Sequence, residues 1–168
     1  MQVRVIGGGL AGCEAALQLA CRGFDVELYE MRPNQMTPAH RDGSLAQLVC
    51  SNSFKGMEPT SAHGLLKREL RMLGSFLLKC AEEARVPAGE SLTVNRELFS
   101  QSVEKAIASA SRIHLHREEV KTIEGNLPTI VAAGPLASDA LADDIFAHLG
   151  GSRLHFFDAI APVVETDS

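Results

Sequence analysis

The chain has 168 residues, of which 45% are hydrophobic and 22% charged, with a formal net charge of −5. That is enough apolar sequence for a real core, and the net charge excludes a general basic field, so nucleic-acid binding needs a local patch or residues not present in this chain. No run approaches the ~18 apolar residues of a membrane helix, and the four cysteines lack the CxxC pairing of a zinc site or a regular disulfide framework.

Residues 3–30 read V-R-V-I-G-G-G-L-A-G-C-E-A-A-L-Q-L-A-C-R-G-F-D-V-E-L-Y-E, a βαβ unit carrying a dinucleotide-binding fingerprint. Val3, Val5 and Ile6 make the first strand. Gly7 permits the tight strand-to-helix turn, Gly9 lets backbone approach a pyrophosphate, and Gly12 lets the helix pack closely on the sheet. The helix begins near Leu10 and presents Leu10, Ala15, Leu17, Leu19 and Ala20 for burial, with Gly23 as its stop. Its N–H groups and positive dipole end point at the phosphates. Residues 25–29 form the second strand, with Val26 and Leu28 inward. Glu30 lies 18 positions after Gly12, near the spacing of an acid that accepts hydrogen bonds from an adenosine ribose, which favours FAD or NAD over NADP. A glycine-rich turn with a purely structural role is the alternative.

Residues 31–60, rich in Pro, Asn, Ser and Gly, read as a long functional loop. Thr60 or Ser61 caps a helix running to about residue 84, with Leu65, Leu66, Leu70, Leu73, Leu77 and Ala81 as its apolar stripe. Lys67, Arg68 and Arg71 fall on other faces, as a solvated surface or as contacts to RNA phosphates. A turn at 86–90 and a short strand at 92–94 follow. Asn95 caps a helix to roughly Ser109, where Arg96 faces either a substrate anion or the surface. Residues 113–118 alternate as a strand, continued after a bend by 120–123. His114 and His116 share one face of it, without the third ligand that a metal site requires. Residues 129–132 read as a buried strand ending in A-A-G-P. Ser138 or Asp139 starts a helix closed by Gly150 and Gly151, and residues 155–164 are extended.

The order is that of an α/β three-layer, Rossmann-like domain with a long insertion. An open sheet is expected to need more chain after residue 164, so residues 1–168 read as the N-terminal part of an FAD-binding domain, apparently truncated. The N-terminus lacks the basic and apolar regions of a secretory leader, and the expected location is cytoplasmic.

Cys50 sits in L-V-C-S-N-S, a polar setting with His40, Arg41, Lys55 and His63 as candidate neighbours. Both a reactive thiol and a small buried hydrophobe fit it. Cys13, Cys21 and Cys80 fall in helices and read as core.

These passages resemble the folate- and FAD-dependent tRNA (uracil-5-)-methyltransferases. The resemblance is carried by G-G-G-L-A-G at 7–12, Y-E-M-R-P at 29–33, T-P-A-H at 37–40, L-V-C-S-N-S at 48–53, L-K-R-E-L at 66–70, V-P-A-G at 86–89, V-N-R-E-L-F at 94–99, A-A-G-P-L at 132–136 and F-F-D-A-I-A-P at 156–162. It implies an FAD enzyme that takes a one-carbon unit from methylenetetrahydrofolate, is recharged by NADH or NADPH, and forms 5-methyluridine in the tRNA T-loop. The alternatives are another FAD-dependent tRNA-modifying flavoprotein or oxidoreductase, or a non-catalytic dinucleotide-binding remnant. Cys50 carries over as the catalytic thiol. Gly7, Gly8, Gly9, Leu10, Ala11, Gly12 and Glu30 carry over as FAD contacts, joined by Val120, Ala133 and Gly134. Family members commonly have A-T-G-P where this chain has A-A-G-P, removing one hydroxyl near FAD. They are also much longer, with a second functional cysteine and further tRNA-binding surface beyond the part that corresponds to this chain.

Overall fold

The computed structural model describes residues 1–150; the extended segment expected at 155–164 lies outside them. Alternating small and branched residues give β1 (Gln2–Ile6), which turns through glycines into α1 (Leu10–Cys21) and returns as β2 (Asp25–Tyr29). With β6 (Ile113–His116) and β7 (Thr129–Val131) these make a parallel sheet in the order β6-β2-β1-β7. Val5 stands between Leu28 and Ile130, and Leu28 beside Leu115, so one apolar row crosses all four strands. The α/β architecture expected from the βαβ pattern is the one the chain forms.

That row faces α1, whose Cys13, Ala16 and Leu17 are buried against it. Behind α1 lie α3 (Phe76–Glu83) and α4 (Arg96–Ser109), and then a small antiparallel sheet of β3 (Ser53–Gly56), β4 (Arg85–Val86) and β5 (Ser91–Val94) in the order β3-β5-β4. Leu77, Leu78, Ala81, Phe99 and Val103 join Leu92 and Val94 of β5 (Ser91–Val94) in one continuous core. Because α1 is sandwiched between layers it is apolar nearly all round, as a buried helix must be. The other face of the parallel sheet is polar. Arg4 stacks over Tyr29, Tyr29 over His116, and His116 meets the Glu27 carboxylate.

Several expectations change. The loop at 31–60 contains a strand, β3 (Ser53–Gly56), held by pairing to β5 and by Phe54 packed edge-on against Phe99. The single helix expected to residue 84 is two, α2 (Ala62–Met72) and α3. Gly74 adopts φ +72°, Ser75 caps α3, and the Glu14 carboxylate accepts the Phe76 and Leu77 N–H groups. The long apolar stripe therefore splits: Leu77 and Ala81 are core, while Leu65, Leu66 and Leu73 are exposed. Lys67, expected on a solvated face, is buried and donates to the Gly56 and His63 carbonyls. Burial, with Arg71 nearby, holds its ammonium below the ordinary lysine range.

Residues 120–123 form no strand; the Ile123 N–H is taken by Asp144 of α5 (Asp139–Leu149) instead. β7, expected to be buried, is an edge strand among the described residues, with Ile130 39% and Val131 41% exposed. Cys21, expected in the core, is exposed at the end of α1, whereas Cys13 and Cys80 are buried. The Ser61, Asn95 and Ser138 caps and the Gly150 stop stand where expected. Among the described residues no helix is long and apolar enough to cross a membrane, and no group of three or more His, Cys, Asp or Glu is placed to hold a metal ion.

Candidate functional site

The turn between β1 and α1 is shaped by what has no room. A Cβ on Gly12 would stand 1.8 Å from the Gly7 carbonyl oxygen, and one on Gly7, where φ is +107°, would stand 2.6 Å from the Ala132 oxygen. Gly9 differs: a Cβ there meets nothing within 4 Å. Its missing side chain leaves open space at a cavity lined by Gly7, Gly9, Glu30, His40, Val120 and Ala133.

α1 opens at this point without a side-chain cap and with no acid in its first turn. Serine or asparagine caps every other α-helix among the described residues. The first N–H groups of α1 and its positive dipole end thus remain available to an anion, and with the space at Gly9 they fit a pyrophosphate.

Glu30 is 5% exposed. Its Oε1 accepts the Arg32 backbone N–H at 2.9 Å and Arg32 Nε at 2.8 Å, and its Oε2 accepts Gly8 N–H at 2.8 Å and Arg32 Nη2 at 3.0 Å. Burial pushes the carboxyl up, but the Arg32 side chain and the backbone donors outweigh it and leave it below the ordinary carboxylate range. Each carboxylate oxygen already accepts two bonds, about its full capacity. Glu30 therefore locks the glycine turn to the end of β2, and a ribose hydroxyl must displace or share one of those donors.

Cys13, directly below, donates its thiol to the Gly8 carbonyl at 3.3 Å. Burial, and next the Glu30 charge, push that thiol up to about 12, which leaves it no role as a nucleophile.

Residues 39–49 form the wall of this cavity and of a second one. His40 faces the glycine cavity, while Ala39 and Arg41 line a groove on the other side. The wall is fastened at three points: the Ala46 N–H donates to the Gly8 carbonyl, Arg117 to the Arg32 and Gly43 carbonyls, and the Leu45 N–H to Glu104 of α4. Burial and the Arg32 charge hold His40 below the ordinary histidine range, so it is neutral at pH 7.

Of the expected site residues, Gly7, Gly9, Glu30, Val120 and Ala133 come together around one cavity. Gly8 is spent on Glu30, Gly12 on helix packing, and Leu10 and Ala11 lie exposed on α1 outside the cavity lining. Gly134 turns toward a separate apolar groove beside α5. Cys50 is exposed and lines neither the glycine cavity nor the second groove, although its neighbours Val49 and Asn52 line the latter. Sequence reasoning missed Arg32 as Glu30's partner and His40 as a wall of the glycine cavity. An arginine two residues past a strand-end acid is a usable signal for the first; nothing local marks the second.

A parallel sheet, a glycine turn that excludes side chains, and an uncapped helix end define the class of Rossmann-like α/β domains. The family described as Glucose inhibited division protein A matches residues 2–168, and the chain belongs to it. A relative from Syntrophomonas wolfei, named methylenetetrahydrofolate–tRNA-(uracil-5-)-methyltransferase TrmFO, is 55% identical over 99% of this chain. One of the same name from Aquifex aeolicus is 53% identical over the same share. The chain spans 38% of the length of each. Among solved structures, the Diels-Alderase PyrE3 of pyrroindomycin biosynthesis shares the fold with a TM-score of 0.50, at 12% identity over 80% of this chain and 32% of that one. A GidA-related protein from Thermus thermophilus aligns with a TM-score of 0.48 and 18% identity, over 89% of this chain and 68% of that one.

Proposed function

We propose that this chain forms the FAD-binding part of a methylenetetrahydrofolate- and FAD-dependent tRNA (uracil-5-)-methyltransferase, acting in the cytoplasm on the uridine of the tRNA T-loop. The observation that carries the reading is the 55% and 53% identity, over 99% of the chain, to proteins bearing that name. The glycine cavity supports the cofactor half of it. Gly7, Gly9 and the first N–H groups of α1 would hold the pyrophosphate, and Val120 and Ala133 would border the adenosine.

When bound, the flavin supplies the hydride that reduces a methylene to a methyl group, and is itself recharged by NADH or NADPH. The chain's own contribution is placement. Arg32 and Glu30 fix the turn, His40 offers an uncharged wall, and Cys50 presents an accessible thiol on the loop. Uracil C5 is a weak nucleophile until electron density is pushed into the ring, which gives Cys50 covalent work, at the base or as carrier of the one-carbon unit. The base must leave its stack to reach that thiol.

The cofactor half is tested by adding FAD to the purified chain, desalting and recording the spectrum. Retained flavin absorbance is expected, and a colourless protein overturns it. The activity half is tested by mass spectrometry of tRNA nucleosides from a strain lacking the gene. T-loop 5-methyluridine is expected to disappear, and an unchanged level overturns the reading.

A further inference from the structure

The groove on the far side of the loop wall has no part in the mechanism above. It encloses about 480 Å³ between residues 39–49 and the first turn of α4, within the range of ligand-sized sites. Arg41 lines it from the loop and Arg96 from the helix. Among the described residues neither guanidinium has an ion-pair partner.

Ser100, one helical turn beyond Arg96, lines the same groove and is only 5% exposed. Its hydroxyl makes no hydrogen bond among the described residues, and no fully enclosed side-chain nitrogen or oxygen there lacks a partner. The hydroxyl is therefore not fully enclosed, and the groove is the opening that Ser100 lines. A largely buried serine whose hydroxyl stays accessible, in a groove that two guanidinium side chains also line, matches a ligand rich in acceptor oxygens.

Two carboxylates also border the groove and keep their charge, so the two guanidiniums serve there as directed donors rather than as a net positive field. Asp42 is occupied by the Ser44 N–H and the Gln47 amide. Glu97 is exposed in the first turn of α4, where the helix dipole favours an acid.

The groove's position selects the ligand. Val49 and Asn52 line it, and exposed Cys50 and Ser51 lie between them in the chain. We propose that the groove is a phosphodiester-binding subsite. Arg41 and Arg96 grip the backbone of the RNA strand that offers its uridine to Cys50, and Ser100 donates to a phosphate oxygen from the floor. The proposal rests on the reading of Cys50 given above. Forked guanidinium donors suit phosphate, and single-stranded RNA is commonly held by its backbone while a base is splayed out.

The test is fluorescence anisotropy of a short, labelled, single-stranded uridine-containing RNA titrated with the full chain across a salt series. Arg41→Ala and Arg96→Ala are each expected to weaken binding about tenfold and to lower the slope of log affinity against log salt by roughly 0.7, one phosphate contact apiece. Arg96→Lys is expected to keep the slope while losing part of the affinity. Ser100→Ala is expected to weaken binding with the slope intact, and Glu97→Gln to tighten it. Unchanged affinity and slope in the Arg41→Ala/Arg96→Ala double variant overturn the proposal, as does failure of the unaltered chain to bind the RNA. A double variant that loses methylenetetrahydrofolate but keeps RNA also overturns it, since the groove then serves the folate carboxylates. FAD retention, measured on the same samples, is expected to be unaffected. If FAD is never retained while the arginine effects hold, the cofactor reading falls and the groove assignment stands.

Discussion

The glycine turn and the loop that walls it are neighbours built on opposite terms. In the turn, residue type and backbone shape agree. Gly7 occupies φ +107°, Gly12 touches backbone, and the one buried acid is enclosed by donors. In the loop and the strand after it, ordinary residues sit in shapes that suit glycine. Ala46 has φ +51° and Lys55 φ +66°, and the chain is held by side chains reaching back to nearby amides, as at Asp42, Ser51 and Ser53. The turn is thus fixed in shape, as the pyrophosphate proposed for it requires. The loop is a wall held by short-range side-chain contacts and a few distant fastenings, which suits the strand proposed on one side and the cofactor proposed on the other.

Arg32 joins the two regions, its guanidinium pairing with Glu30 while its Nη1 donates to the Asp42 carbonyl at 3.5 Å, and its loss is expected to be the most damaging single change. Arg32→Ala leaves the Glu30 carboxylate buried without its partner, at a cost of about 3–5 kcal/mol in urea unfolding. It also frees the loop, so amide exchange across residues 39–49 is expected to accelerate. Equal stability in the variant breaks the idea that one ion pair serves both regions.

A pair of glycine substitutions sharpens the contrast inside the turn. Gly12→Ala forces a methyl against the Gly7 carbonyl and is expected to cost about 3 kcal/mol. Gly9→Ala meets open space, so its unfolding midpoint is expected to stay close to that of the unaltered chain while FAD retention falls. Equal damage to stability from both erases the distinction between packing glycine and approach glycine.

Acid offers a milder probe of the same ion pair. Glu30 is depressed in the folded state from an ordinary value near 4.5, so its stabilisation is full above that value. It is lost as pH falls through the lower folded value. Unfolding free energy followed by urea titration is expected to decline below about pH 4.5, and a flat profile there contradicts the ion pair.

The smallest effect has the opposite sign and belongs to the loop side. Lys55→Gly removes a left-handed strain from an exposed residue and is expected to stabilise by up to about 1 kcal/mol, read as a rise in Tm.

Much of the first region was legible in the chain itself. The helix start after Gly9, the bounds of β2 and the Asn95 and Ser138 caps depend on contacts within a few residues, and such contacts are written in local order. The split between α2 and α3 was not legible. Gly74 is tolerable inside an exposed helix pattern, and only the distant Glu14 carboxylate makes a break at Ser75 favourable by accepting the next helix's N–H groups. The burial of Lys67 was hidden for the same reason: one of its acceptors, the Gly56 carbonyl, lies outside any helical period.

The sequence by itself determined the βαβ unit, the need for glycine at positions 7 and 12, the acid at position 30 and the family to which these residues belong. The first three follow from steric and hydrogen-bonding rules acting over one turn or one strand, and the family from the resemblance its motifs carry. Only the tertiary structure decided that Glu30 is already saturated by Arg32 and Gly8, that His40 and Arg41 face opposite cavities, and that Arg96 and Ser100 meet the loop of Cys50. Those relations join residues far apart in the chain. They exist because the core draws α4 and the loop across the same sheet end, which no local period encodes.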